Sequence, residues 1–110
     1  MQITHPLRFA ILSGALLFAA ATSASAQTGE ANYKSKCQMC HGATGAADTP
    51  TGKTMKIKSF ADPEVVKQTD DALINVTKNG QGKMPAYKDK MSDADIKGVI
   101  AHIRELQKKK

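Results

Sequence analysis

Cys37-Gln38-Met39-Cys40-His41 is the stretch on which the reading of this sequence turns. Two cysteines are separated by two residues, and a histidine follows the second directly. A disulfide between them would close a loop of only a few residues. Loop-closure stabilisation grows with loop length, so such a bridge would constrain little of the unfolded chain. The CxxCH pattern is instead the one that attaches haem c. The two thiols add to the haem vinyl groups as thioethers, the two-residue spacer matches the separation of the vinyls on one porphyrin edge, and His41 comes under the ring centre as a proximal iron ligand.

Two other chemistries use similar residues, and context weighs against both. A closed structural zinc site needs four protein ligands. Beyond Cys37, Cys40 and His41, the chain after its export segment offers only His102 or a carboxylate. A thioredoxin-like thiol pair needs a βαβ pattern around the motif, and nothing here alternates like a strand.

Upstream of the motif the sequence reads as an export signal: Arg8, an apolar run from Phe9 to Ala21, and Thr22-Ser23-Ala24-Ser25-Ala26, with cleavage expected after Ala26. The apolar run is too short to cross a bilayer, which takes about 20 apolar residues. The expected organisation is a signal peptide over 1–26 and one domain over 27–110, exported to the periplasm and not embedded in the membrane. That domain contains 18 side chains of the Val, Ile, Leu, Met, Phe and Tyr types, of which Tyr33, Phe60 and Tyr87 are its aromatics. Burial of each stabilises by about 1.5–3 kcal/mol, against a conformational entropy cost of roughly 1.5 kcal/mol for every ordered residue. A chain this poor in apolar bulk calls for a staple, and a large cofactor is one of the usual kinds.

If the motif holds a haem, the identity of a second axial ligand separates electron carriers from gas-binding and peroxidatic sites. Met39 sits inside the attachment turn, on the wrong side. Met55 and Met91 read as core gap-fillers, and His102 as a packing or surface residue of the last helix. Met84 is different. It is followed by Pro85 in Asn79-Gly80-Gln81-Gly82-Lys83-Met84-Pro85-Ala86-Tyr87, where two glycines permit tight turning and proline stiffens the strand carrying the sulfur.

The rest of the chain reads as helices and loops. A short helix over Glu30 to Cys37 has Tyr33 as its large apolar residue, and Gly42 to Ser59 lacks periodicity and reads as a loop. Asp62-Pro63-Glu64 is a helix start. A second start at Thr69-Asp70 leads through Leu73, Ile74 and Val76 to a stop at Asn79-Gly80. The last helix opens with Ser92 and Asp95 as a capping-box variant and carries Ile96, Val99, Ile100, Ile103 and Leu106 at helical spacing.

An early CxxCH, a Gly-rich segment after it, a Met-Pro loop and a final amphipathic helix together resemble the small monohaem class I c-type cytochromes of bacteria. The resemblance spans nearly all of Gln27 to Leu106. It implies an all-α cytochrome c fold, with three to four short helices and loops wrapped around one covalent haem. It makes Cys37 and Cys40 the thioether anchors, His41 the proximal ligand and Met84 the distal one, so that His41 and Met84 hold the iron. It further implies that the Pro50 carbonyl orients His41 through Nδ1, and that Gly29 and Tyr33 pack against an aromatic in the last helix. That position holds His102, which places the helix crossing in question and implies a weaker contact.

The net charge of +6 could suggest nucleic acid. Export and the lack of interleaved aromatic and basic residues exclude that partner. Lys34, Lys36, Lys83, Lys88 and Lys90 flank the two motifs, and would steer redox partner proteins with acidic docking surfaces. The expected activity is a one-electron Fe(II)/Fe(III) shuttle by a monomer, not an enzyme. Its rivals are a cytochrome subunit of a periplasmic dehydrogenase and a five-coordinate haem sensor or peroxidatic protein.

Overall fold

Serine, threonine and aspartate side chains cap four helix starts among the described residues, and one apolar stripe sets the core. The computed structural model describes residues 22–109 and Gly14, with side chains from residue 28 onward. Most of the expected signal peptide, 1–26, thus lies outside the described residues. In chain order the elements are α1 (Thr22–Lys36), α2 (Gln38–His41), α3 (Pro50–Thr54), α4 (Pro63–Val66), α5 (Asp70–Asn79) and α6 (Asp93–Lys108). Three of these are single turns. Among the described residues there is no strand, and the Gln81–Met84 pair forms an isolated antiparallel bridge.

The last helix forms as its sequence predicts. Ser92 Oγ accepts from the Asp95 N–H at 3.1 Å, and Asp93 and Asp95 at one end with Lys108 at the other complement the helix dipole. Ile96, Val99, Ile100 and Ile103 are buried and Leu106 packs on them in part. With Tyr33 and Met91 they make the core.

The first helix crosses that stripe backbone to backbone. A Cβ built on Gly29 would lie 2.2 Å from the Gly98 carbonyl oxygen, so a side chain at position 29 has no room at this crossing. Substitution of His102 for an aromatic does not undo it. The imidazole packs on Tyr33 with ring centroids 5.0 Å apart and planes tilted by 52°. Tyr33 is 1% exposed, and its hydroxyl donates to the Gly42 carbonyl at 2.6 Å, which ties α1 to the residue after His41.

The segment between Gly42 and Ser59, expected to be a loop, contains α3. Thr49 explains it: its hydroxyl accepts from the Gly52 N–H at 2.9 Å, Pro50 occupies the first turn, and the same hydroxyl donates to the Cys40 carbonyl at 3.0 Å. Periodicity misses a helix of five residues with no apolar face. The two later starts follow the sequence reading, with Asp62 capping Glu64 at 2.8 Å and Thr69 capping Ala72 at 3.1 Å. Arg104 on α6 then holds the link between α4 and α5. Its Nε donates to Asp70 at 2.8 Å and its terminal nitrogens to the Val66 and Gln68 carbonyls, while the neighbouring Gln107 reaches the Phe60 carbonyl at 2.9 Å.

Candidate functional site

The attachment motif begins where α1 ends. Cys37 N–H still donates to the Tyr33 carbonyl and His41 N–H to the Cys37 carbonyl, each at 2.9 Å, so the five motif residues form one more turn of helix. Gly42, at φ +83°, breaks out of it. Far along the chain, Gly80 (φ +76°) and Gly82 (φ +56°) let the second motif fold back on itself. Gln81 and Met84 exchange two backbone hydrogen bonds at 3.2 and 2.9 Å, and a Cβ on Gly80 would sit 2.7 Å from the Met84 oxygen. That tight loop half-buries Met84.

Cys37, Cys40, His41 and Met84 all line one cavity of about 740 Å³. Val99, Ile100 and Ile103 of α6, Leu73 and Val76 of α5, and Phe60 complete an apolar wall. The volume lies within the usual range of about 300–1,000 Å³ for cofactor sites. The two stretches of sequence singled out for their chemistry, more than 40 residues apart, thus open into the same space.

His41 stacks on Phe60, with ring centroids 4.6 Å apart and planes within 19°. Burial holds His41 below the ordinary imidazole range, favouring the neutral form that can donate a lone pair to a metal. Its Nδ1 is buried with no hydrogen-bond partner. The expected Pro50 contact is therefore not made: the Pro50 carbonyl accepts from the Thr54 hydroxyl at 2.9 Å, as the first carbonyl of α3. Burial pushes the Cys37 thiol up to about 11, opposite to the depressed values of redox-active thiols. Cys37 and Cys40 form no disulfide, and among the described residues no three His, Cys, Asp or Glu side chains come together as a metal-holding group. His102, the spare zinc donor in the sequence, packs on Tyr33 instead.

The remaining methionines divide. Met91 is a core residue as expected, and Met39 is 77% exposed. Met55 corrects its sequence reading: it is 38% exposed and sits on the cavity wall, because α3 carries it away from the core. Of the five lysines near the motifs, Lys36 and Lys83 line the cavity, joined by Lys58, which the sequence did not single out. Lys34 is paired with Glu30 at 2.9 Å, one helical turn away, and Lys90 lies 5.6 Å above the Tyr87 ring. Sequence reasoning also passed over Phe60 and Tyr87 as site residues. As two of the three aromatics in residues 27–110, a stretch otherwise short of bulk, they could have been flagged by rarity alone.

Comparison with known proteins agrees with this geometry. The family described as "Cytochrome C oxidase, cbb3-type, subunit III" matches residues 24–103. The chain is 37% identical over 97 residues to a cytochrome c6 of Picosynechococcus, spanning 84% of this chain and 79% of that one. The chain belongs to the small monohaem class I c-type cytochromes. A cytochrome c6 of Leptolyngbya boryana is 30% identical over 86 residues, 78% of this cytochrome and 98% of that one. The solved KustC0563 c-type cytochrome superposes with a TM-score of 0.66 at 27% identity, over 72% of this cytochrome and 96% of its own chain.

The cofactor of this class is haem c, bound covalently, and the residues present fit it. Two thiols and a neutral imidazole with a buried, unpartnered nitrogen stand at one side of an apolar cavity, and a thioether stands in the same lining. In this cytochrome the cavity is where the missing hydrophobic bulk belongs. The all-α architecture expected from the sequence is the one observed, with electron transfer as the work of its class.

Proposed function

We propose that this cytochrome is a periplasmic, monomeric one-electron carrier, exported by the segment 1–26 and matured to residues 27–110, that takes an electron from one protein and passes it to another without bond chemistry of its own. Cys37 and Cys40 are the thioether anchors, His41 the proximal ligand and Met84 the distal ligand. The observation that carries the reading is the convergence of both motifs on one cavity. When bound, haem c supplies a one-electron Fe(III)/Fe(II) couple.

The chain's own residues do the rest. His41 donates as a neutral imidazole, held face to face with Phe60. Met84 offers a soft sulfur that favours the ferrous state and raises the potential relative to two histidines. Val99, Ile100 and Ile103 line the cavity and would keep water from the bound cofactor, disfavouring the more charged ferric state. With His41 and Met84 both holding the iron, the change on electron transfer would stay local, so little of the protein would reorganise. Lys36, Lys58 and Lys83 bring positive charge to the cavity lining, suited to a partner with an acidic docking face.

The test is a potentiometric titration of the intact periplasmic protein, with acid-acetone extraction of a separate sample. Colour that stays with the chain and a one-electron Nernst curve are expected. Haem released by extraction, or turnover of peroxide by the resting protein, contradicts the carrier reading.

A further inference from the structure

Between the attachment segment, residues 33–45, and the Met84 loop, residues 80–90, a single hydrogen bond crosses among the described residues. The Tyr87 hydroxyl donates to the carbonyl of Lys36, the residue before Cys37, at 3.1 Å over 51 positions of sequence. Tyr87 is also the post at which the loop ends. Its N–H donates to the Thr77 carbonyl of α5 at 3.0 Å, and its own carbonyl accepts from Lys90 and from the buried Met91, each at 2.9 Å. The backbone of the loop is thereby anchored to α5 and the core, and the side chain alone reaches the opposite motif. The ring is half-buried on the cavity wall, and Lys90 covers it.

We propose that Tyr87 is a positioning residue for the distal ligand: its hydroxyl latches the Met84 loop to the Lys36 carbonyl and so keeps the sulfur of Met84 across the cavity from His41. The proposal rests on the reading of Met84 as the distal ligand. Without the latch, residues 80–86 are held by bonds within their own loop and to α5, none of which refers the loop to the haem-bearing turn. The loop then opens more often while the fold persists. A phenylalanine at this position keeps the ring, its packing and the Lys90 contact, and removes only the bond to Lys36.

The experiment is imidazole binding to the ferric holoprotein by stopped flow, because exogenous imidazole enters only after Met84 leaves. At saturating imidazole the rate becomes the loop-opening rate. Tyr87→Phe is expected to raise that plateau roughly two- to tenfold, the range a single net hydrogen bond supports. In a Met84→Ala background, where no sulfur has to leave, the same substitution is expected to leave imidazole binding unchanged. An unchanged plateau in Tyr87→Phe overturns the latch. So does an equal acceleration in both backgrounds, since the hydroxyl would then govern entry to the cavity and not the ligand. The wild-type ferric spectrum separates the two levels: absence of a methionine-to-iron charge-transfer band refutes the Met84 assignment and the latch with it, whereas its presence with an unmoved plateau refutes the latch alone.

Discussion

Replacing Gly29 with alanine sets two well-understood effects against each other. In an isolated helix the change is favourable by about 0.5–1 kcal/mol, because alanine loses less backbone freedom than glycine. In this protein the new Cβ would meet the backbone of α6, 2.2 Å from the Gly98 oxygen and 2.6 Å from its carbonyl carbon. Neither atom is the end of a flexible side chain, so the helices must part by about an ångström to reach ordinary van der Waals separation. Separation loosens the contacts of Tyr33, Val99 and Ile103, all below 10% exposed. Overpacking of this kind costs about 1–3 kcal/mol, and after the propensity gain a net loss of about 1–2 kcal/mol remains. For a domain of this size each kcal/mol moves the thermal midpoint by about 4–8 °C, so the Gly29→Ala holoprotein is expected to melt some 5–15 °C lower. Calorimetry or circular dichroism of the two holoproteins in the same buffer measures it. A midpoint equal to or above the wild type would show that the two backbones do not touch at this crossing.

Two further perturbations probe other parts of the fold. Burial against Tyr33, partly offset by Glu30, lowers the proton affinity of His102, so around and below the ordinary imidazole pKa of about 6.5 the unfolded chain binds more protons than the folded one. The contribution of His102 is present above that pH and lost as pH falls. His102→Phe is expected to flatten the wild-type decline in thermal midpoint between neutral pH and about pH 5.5, and parallel curves for the two proteins would contradict this. Arg104→Met keeps the aliphatic stem but removes the donors to Asp70, Val66 and Gln68. It is expected to cost about 1–2 kcal/mol in denaturant titration and to speed amide exchange in residues 60–70; exchange faster across the whole chain alike would show that Arg104 does not act on that segment.

The elements that could be read from sequence are those whose signals are local. Ser92, Thr69 and Asp62 announce helix starts because a cap is a contact over two or three residues. The α6 stripe announces the core because burial on one face repeats every turn. Cys37 to His41 carry their chemistry within five residues. What escaped depends on who meets whom. Gly98 carries no local signal within the α6 stripe, and its backbone matters because Gly29 lies against it. Tyr87 carries no motif that points to the Lys36 carbonyl, and Arg104 none that points to Val66, Gln68 and Asp70. Pro50 shows the opposite failure: the residue fits a family expectation, yet the short helix it begins turns its carbonyl to Thr54. Residue type alone puts Met55 in the core, whereas the turn that ends α3, invisible to periodicity, sets it on the cavity wall.

The central claim is that a tethered haem is held between His41 and Met84, and the absorption spectrum of the purified ferric holoprotein addresses it most directly. A low-spin spectrum with a methionine-to-iron charge-transfer band is predicted, lost in Met84→Ala and retained in Met55→Ala and Met91→Ala while colour stays on the chain in all three. A high-spin ferric spectrum in the wild type, or a band that survives Met84→Ala, would contradict the account.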